Sequence, residues 1–162
     1  MQEKKIELNF IAAHLSELEM QDKELIANAR EAFATAYAPY SGFLVGASVL
    51  LDNGEIINGS NQENVAYPSG LCAERVALFY AGARFPDAKI ISIAVSVMSK
   101  AFKVTDVISP CGACRQVMAE YEDKQEQAIK VILHSPTDQV LIANTVESLL
   151  PFMFKSPLLK QH

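Results

Sequence analysis

The sequence lacks the features typical of proteins that bind nucleic acid or span a membrane. Its 162 residues hold 14 Lys and Arg against 19 Asp and Glu, with no basic run longer than Lys4-Lys5. A nucleic-acid-binding surface needs a clustered basic face, so we expect no nucleic-acid partner. The longest apolar stretches, residues 43–51 and 90–98, are strand-sized and too short to span a bilayer. No sustained apolar stretch follows the first residues, so we also expect no secretory signal.

Cysteine is scarce, with only Cys72, Cys111 and Cys114. An odd count fits a reducing compartment and metal binding better than a disulfide framework, so we expect a cytoplasmic protein. Half of the residues are apolar and a fifth are charged, which is typical of a globular protein. The length fits a single domain over residues 1–162. Within it we expect an N-terminal extension over residues 1–20 and a loose C-terminal tail over residues 155–162.

Hydrophobic spacing predicts an α/β protein. The predicted strands cover residues 43–51, 55–58, 89–98, 129–134 and 139–143. The predicted helices cover residues 20–36, 72–82 and 112–121, with a short helix over 147–150 capped by Thr145. This order favours a three-layer α/β/α fold around a mixed five-stranded sheet. Residues 5–10 alternate polar and apolar side chains and would add an extra strand, although a frayed helix is an alternative there.

The three cysteines fall at the predicted starts of two helices, in the segments CAER (72–75) and PCGAC (110–114). Free backbone N–H groups and the positive end of the helix dipole stabilise thiolates at such positions. Three thiolates can hold Zn²⁺ and leave its fourth position open to water, which distinguishes catalytic zinc from structural zinc. Glu74, two residues after Cys72, would then be placed to move protons to and from that water. The pattern therefore predicts a hydrolytic zinc site.

The charge of this predicted site requires compensation. Zn²⁺ with three thiolates carries a formal charge of −1, which would make it a poor activator of water. Arg75 lies one helical turn after Cys72, and Arg115 follows Cys114 directly. We expect these guanidinium groups, Arg75 above all, to balance the charge.

Two other interpretations of the cysteines compete with the catalytic one. A structural zinc site would need a fourth protein ligand, for which His14, His134 and His162 are the histidine candidates, but none lies near a cysteine in sequence. In that case Glu74 would be an ordinary solvated side chain in a first helical turn. A thioredoxin-like redox site would use the C-x-x-C segment alone and leave Cys72 without a purpose.

The motifs match the general signature of zinc-dependent nucleobase deaminases, a His or Cys followed by x-E and later P-C-x-x-C. The chain resembles in particular the cytidine deaminases that act on free nucleosides. The resemblance extends from about residue 36 to residue 154. Besides the zinc motifs it includes YAPYSGF (37–43), VGA (45–47), GSNQEN (59–64), AY (66–67), CGACRQV (111–117) and LLP (149–151).

The resemblance implies a reaction, a cofactor and an assembly. The reaction is hydrolytic deamination of cytidine, and of 2′-deoxycytidine, to uridine or deoxyuridine plus ammonia in pyrimidine salvage. One Zn²⁺ per subunit is held by Cys72, Cys111 and Cys114. Glu74 takes the proton of the water, delivers one to ring N3 and later protonates the leaving amino group. Relatives are usually homotetramers whose active sites lie near subunit interfaces.

The resemblance also assigns substrate-binding residues. Asn61 and Glu63 match the pair that hydrogen-bonds the ribose hydroxyls, although as isolated residues they would be ordinary turn residues. Phe43 matches an aromatic that packs at the nucleoside site, while a Phe on a strand is also a common core residue. The backbone of Ala73 corresponds to a group that reads the base.

Two further aromatics resemble side chains delivered into the site by neighbouring subunits, namely Tyr67 and Phe154. Residues 149–154 (LLPFMF) depart from typical relatives at Phe152 and Met153. Phe152 is therefore an alternative to Phe154 for this role.

Rival functions follow from the same zinc core. A deaminase for a cytosine antibiotic of the blasticidin S type is the nearest, but the acceptor pair at Asn61 and Glu63 fits ribose hydroxyls better. A non-catalytic zinc module for protein assembly is the rival from another class, and it has no use for Glu74. A polynucleotide-editing deaminase is disfavoured by the acidic balance and by the lack of a basic, aromatic-lined strand path.

Overall fold

One mixed sheet of six strands organises the protein, whose computed structural model describes residues 1–155. The strands are β1 (Ile11–His14), β2 (Phe43–Leu51), β3 (Ile56–Ser60), β4 (Ile90–Ser99), β5 (Lys130–His134) and β6 (Gln139–Ala143). The helices are α1 (Met20–Glu31), α2 (Ala73–Arg84) and α3 (Gly112–Gln125). Short 3₁₀ turns cover Leu15–Glu17, Ala32–Thr35, Tyr67–Ser69 and Val146–Ser148.

The strand order across the sheet is β1-β6-β5-β4-β2-β3. Among the strands of residues 1–155, only the β4–β5 pair is parallel, and α3 lies in the connection between these two strands, as a parallel crossover requires. The other strand pairs are antiparallel. β4 and β5 are almost wholly buried, which explains their continuous Ile and Val content.

Helices cover both faces of the sheet. Because side chains alternate along a strand, Ile93 and Val95 of β4 face one way and Ala94 faces the other. Ile93 and Val95 pack in a core cluster with residues of α2 and α3. Ala94 packs in a second cluster with Leu25 and Ile26 of α1. The predicted three-layer α/β/α fold is therefore confirmed.

Two glycines allow helices to lie unusually close to the sheet. A Cβ atom at Gly46 in β2 would lie 1.8 Å from the carbonyl oxygen of Ala29 in α1. A Cβ atom at Gly59 in β3 would lie 2.6 Å from both the Ala73 oxygen and the Ala77 nitrogen of α2. The second contact fixes the first turn of α2, which carries part of the candidate site.

The N-terminal strand and the strand count were predicted wrongly. The expected strand at residues 5–10 does not form, and that segment is exposed. Ile11–His14 pairs instead with β6, from Ile11 opposite Ile142 to His14 opposite Gln139, and gives the sheet a sixth strand. Polar and apolar side chains alternate over residues 5–10, which is why that stretch was predicted as a strand. The alternation does not show which stretch of the chain pairs with the edge of β6.

Other boundaries differ less from the prediction. The bounds of β2 and β6 are as expected, while α1 ends at Glu31 and a 3₁₀ turn follows it. α3 extends to Gln125, and its C-cap residue, Glu126, adopts a left-handed conformation with a φ of 53°. Thr145 does cap a short helical turn, because its hydroxyl accepts from the Glu147 N–H.

The C-terminal tail predicted over residues 155–162 lies almost entirely outside the described residues, since only Lys155 is included. Each helix in residues 1–155 falls short of the length and hydrophobicity required to cross a bilayer.

Candidate active site

The starts of α2 and α3 bring the three cysteines together. Cys72 is the N-cap residue of α2, Cys111 is the N-cap residue of α3, and Cys114 lies in the first turn of α3. The Cys72 and Cys111 Sγ atoms are 3.8 Å apart, and the Cys111 and Cys114 Sγ atoms are 3.4 Å apart. All three sulfurs lie within 4.8 Å of one another. Residues separated by 39 positions in the chain thus form one cluster.

The cluster has the donor set and spacing of a zinc site. Tetrahedral Zn²⁺ with bonds of about 2.3 Å to sulfur places its sulfur ligands about 3.8 Å apart. Within residues 1–155, the cluster of three or more potential metal ligands (His, Cys, Asp or Glu) consists of these three cysteines and includes no fourth side chain. Three protein ligands leave one tetrahedral position for water or substrate.

The described histidines have partners elsewhere. The His134 ring contacts Ser96 and Asp138, and the His14 ring contacts Ser16. His162, the remaining candidate for a fourth ligand, lies outside the described residues.

The electrostatics of the cluster favour a thiolate at Cys72. A hydrogen bond from the Cys114 thiol lowers the pKa of Cys72 to about 5 against the opposing effect of burial, and Arg75 contributes in the same direction. The same hydrogen bond and burial raise the pKa of Cys114. A metal that binds all three sulfurs requires each thiol to lose its proton, and the raised pKa of Cys114 opposes that loss.

Glu74 is the second residue of α2 and is only 3% exposed. Burial raises the pKa of its carboxyl group, and the negative charge on Cys72 acts in the same direction. Its Oε2 atom is buried and has no hydrogen-bond partner among residues 1–155. Buried polar atoms are rarely left unpaired, because the desolvation cost is then uncompensated. This oxygen therefore points to a partner that the chain itself does not provide.

The two arginines have different roles. The Nη2 atom of Arg75 lies 3.9 Å from Cys72 Sγ and 3.4 Å from the Gly70 oxygen, so the guanidinium charge is beside the Cys72 sulfur. Arg115 donates to two backbone oxygens instead, from Nε to Pro110 at 2.7 Å and from Nη1 to Leu149 at 2.9 Å. Arg115 thus ties the loop before Cys111 to the C-terminal segment.

Above the cysteines lies a cavity of about 680 Å³, within the usual range for small-molecule sites. Cys72, Cys111, Glu74 and Arg75 lie along its wall. The lining is apolar at Phe43, Val45, Val97 and Ile108 and polar at Ser41, Asn61, Glu63 and Asn64. This combination can hold a ligand that has both a flat ring and hydroxyl groups.

Asn61 is buried, and strand β2 holds its side-chain amide. The Oδ1 atom accepts from the Val45 N–H at 2.8 Å, and Nδ2 donates to the Phe43 oxygen at 2.8 Å. These two bonds fix the start of β2, where Phe43 enters the cavity wall. Asn61 thus has a structural role that sequence reasoning did not identify.

Glu63 is half-buried and lines the cavity, and its carboxylate accepts three hydrogen bonds. The donors are the Ser41 hydroxyl and the N–H groups of Tyr40 (2.9 Å) and Ser41 (3.3 Å). The Ser41 hydroxyl contributes most to a lowered pKa of Glu63, and the two N–H groups act in the same direction. Ser41 lies inside the YAPYSGF segment, yet sequence reasoning gave it no role of its own.

The remaining predicted residues lie in different places. Ala73 is fully buried at the start of α2, where the first N–H groups of a helix lack intrahelical partners. Tyr67 is 79% exposed, lines the cavity of its own chain and contacts Tyr40 edge-on at 6.5 Å. Phe152 and Phe154 are both exposed and are not among the described residues that line this cavity.

Fold and site together define a three-layer α/β protein with a three-cysteine zinc centre beneath a small-molecule cavity. Residues 19–129 match the family described as the cytidine and deoxycytidylate deaminase zinc-binding region. The chain belongs to this family, and zinc is its cofactor. The resemblance inferred from the motifs is therefore confirmed.

Individual relatives agree with this assignment. The chain is 37% identical to the cytidine deaminase of Halalkalibacterium halodurans over 135 residues, which cover 83% of this chain and 95% of that protein. It is 43% identical to the cytidine deaminase of Sporosarcina psychrophila over 105 residues, or 63% and 71% of the two chains. The crystal structure of cytidine deaminase from Burkholderia pseudomallei superposes with a TM-score of 0.72 at 37% identity, covering 83% of this chain and all of that one.

Proposed function

We propose that this protein is a zinc-dependent hydrolase that converts cytidine, and 2′-deoxycytidine, to uridine or deoxyuridine plus ammonia, as a step of pyrimidine salvage. The unpaired buried Oε2 atom of Glu74, on a cavity wall shared with cysteine sulfurs, is the observation that carries this proposal. The family and the relatives named as cytidine deaminases support the choice of substrate. A structural zinc module would give this carboxyl group no partner.

Cys72, Cys111 and Cys114 are the residues that would hold the zinc ion. When bound there, zinc supplies a Lewis acid that lowers the pKa of a coordinated water from about 15.7 towards 7. Arg75 offsets the negative charge of the thiolates, since its guanidinium lies beside Cys72.

Glu74 carries the protons of the reaction. Its Oε2 atom takes a proton from the attacking water and delivers it to N3 of the cytosine ring. The same carboxyl group then takes the remaining proton of the added hydroxyl and passes it to the leaving amino nitrogen, so that water and cytidine give uridine and ammonia. One residue serves as both base and acid because each proton it accepts is given back.

Substrate recognition would use the apolar and the polar residues that line the cavity. Phe43 packs against the base, and the backbone of Ala73 reads it at the start of α2. Glu63 and Asn61, which both line the cavity, accept hydrogen bonds from the ribose hydroxyls. This acceptor pair favours a nucleoside over an antibiotic of the blasticidin S type, which is the alternative substrate.

We also propose a cytoplasmic homotetramer in which aromatic side chains complete neighbouring sites. Phe154 is 70% exposed while its backbone is held on α3, so its ring is presented outwards. Tyr67 is also largely exposed and would contact a neighbouring subunit while it lines its own cavity. A reducing compartment suits the site because its three thiols must stay available to the metal.

The test is a loss-of-absorbance assay on zinc-loaded protein with cytidine, 2′-deoxycytidine and blasticidin S in parallel. We expect turnover of the nucleosides, its abolition by a chelator and its recovery on addition of zinc. Turnover of blasticidin S alone would replace the substrate with the antibiotic class. Zinc-edge absorption spectroscopy should show three sulfurs and one light ligand, and a fourth sulfur, or a histidine in place of water, would support the structural module instead.

A further inference from the structure

We propose that Phe102 is a positioning residue for nucleoside binding: its ring stacks on Phe43 and holds that ring in the cavity wall. The inference rests on the proposed function, because it concerns the aromatic that packs against the base. Phe102 itself is not among the described residues that line the cavity, so it acts through Phe43.

The backbone before Phe102 is anchored where β4 ends. The Ser99 hydroxyl accepts from the N–H groups of Ala101 at 3.1 Å and Phe102 at 3.2 Å. The Lys100 N–H donates to the Gly42 oxygen at 3.0 Å, which joins this turn to the residue before β2. Gly42 has a φ of +63°, a left-handed conformation that glycine adopts readily. The turn therefore places Phe102 beside the first residue of β2.

The two rings form a parallel stack. Their centroids are 5.9 Å apart and their planes differ by 7°, which is within the range of favourable offset stacking. Phe43 is half-buried and contributes to the cavity wall. Phe102 is 55% exposed, and within residues 1–155 neither core cluster includes it. Stacking on Phe43 is therefore the contact that accounts for an aromatic side chain at this position.

The stack pre-arranges the cavity for a flat base. A phenyl ring at a cavity edge can change rotamer rapidly unless a neighbour restrains it. A restrained ring binds more tightly because less conformational freedom is lost when the ligand arrives. Removal of the Phe102 ring should therefore weaken nucleoside binding and leave the chemistry at Glu74 largely intact.

The test compares Phe102→Ala, Phe102→Leu and Phe102→Tyr in steady-state cytidine turnover, with Lys103→Ala as a control in the same loop. We expect KM to rise roughly two- to tenfold in the Ala and Leu variants, the range typical of one aromatic pair, with kcat within about twofold. The Tyr variant should restore KM because it keeps the ring. Lys103→Ala should leave both constants unchanged, and all four variants should keep the thermal midpoint of the wild type.

A binding measurement separates positioning from turnover. Calorimetric titration with uridine should show a loss of affinity in Phe102→Ala that matches the rise in KM. An unchanged KM, or a lower KM because the ring obstructs the cavity, would overturn the role of Phe102 while the wild type still deaminates cytidine. A wild type inactive on nucleosides would instead count against the proposed function itself.

Discussion

Gln116 and Phe154 are joined by two hydrogen bonds that fasten the C-terminal segment to α3. The Nε2 atom of Gln116 donates to the Phe154 oxygen at 2.9 Å, and its Oε1 atom accepts from the Phe154 N–H at 3.1 Å. Gln116 lies two residues after Cys114, so the helix that supplies two of the cysteines also orients this segment. The Arg115 bond to Leu149 adds a second tie between the same two parts.

Loss of the two Gln116–Phe154 hydrogen bonds should impair cytidine turnover if Phe154 completes a neighbouring active site. We expect Gln116→Ala to raise KM roughly two- to tenfold, since a hydrogen bond contributes about 0.5–1.5 kcal/mol net. Phe154→Ala should raise KM in the same direction, and the two effects should not add in the double variant because they remove one interaction. Steady-state kinetics of the three variants measure this.

Gln125 provides the matched control at the other end of α3. Its side chain forms an equivalent pair of hydrogen bonds: it accepts from the Ile90 N–H at 2.9 Å and donates to the Ile90 oxygen at 2.8 Å. Gln125→Ala should lower thermal stability and leave KM unchanged. If it raises KM as much as Gln116→Ala does, the effect is a general loosening of the fold and Phe154 has no special part in it.

Replacement of Glu74 by Gln should abolish turnover without dismantling the site. The change keeps the size of the side chain but removes its ability to carry protons, so kcat should fall by at least about 10²–10⁴-fold. Zinc content per chain and calorimetric affinity for uridine should remain close to those of the wild type. Substantial deamination by this variant would remove Glu74 from the role of proton carrier.

The Ser41 hydroxyl should lower the pH at which nucleoside binding begins to weaken. Because the Ser41 hydrogen bond lowers the pKa of Glu63, the carboxylate stays ionised to lower pH than an ordinary glutamate. Its contribution is present above that pKa and is lost as the pH falls through it. In Ser41→Ala the pKa should rise, so kcat/KM for cytidine should begin to fall at a higher pH than in the wild type.

The ribose provides a control for this pH effect. If Glu63 binds the ribose hydroxyls, the difference between wild type and Ser41→Ala should disappear with 2′,3′-dideoxycytidine, which lacks them. A difference that persists with the dideoxynucleoside would mean that Ser41 acts on something other than the ribose contact.

His134 should make the folded protein sensitive to mild acid. Burial lowers the pKa of this ring, Arg30 acts in the same direction, and the hydrogen bond to Asp138 opposes them. The unfolded chain, with a histidine pKa of about 6.5, therefore takes up a proton that the folded chain does not. The free energy of unfolding should fall as the pH drops below about 7, as urea denaturation of zinc-saturated protein would measure.

A non-titrating variant isolates the contribution of this histidine. His134→Gln should be less stable at neutral pH, since it disrupts the contacts with Ser96 and Asp138, but its stability should change less between pH 7 and pH 5.5. Proton uptake at the cysteines is common to both proteins and cancels in the comparison. Equal slopes would show that His134 does not titrate in this interval.

The chemistry of the site was predictable because it depends on short, local patterns. Cys72 and Glu74 are two positions apart at a helix start, and Cys111 and Cys114 share one helical turn, so the sequence fixes each pair's geometry. The signature of the deaminase family uses the same spacings. The roles of the individual substrate-binding residues stay predictions, since they concern a ligand.

Tertiary packing decided what local spacing could not. Three contacts join residues that are distant in sequence: the pairing of β1 with β6, the bond of Arg115 to the Leu149 oxygen and the stack of Phe102 on Phe43. Such contacts depend on which surfaces meet once the helices pack on the sheet, and many local patterns are compatible with several outcomes. The sequence by itself indicated the three cysteines as metal ligands and Glu74 as the candidate proton carrier, because one helical turn sets the spacing within each pair. Only the fold decided which neighbours hold them in place, because those neighbours come from separate elements.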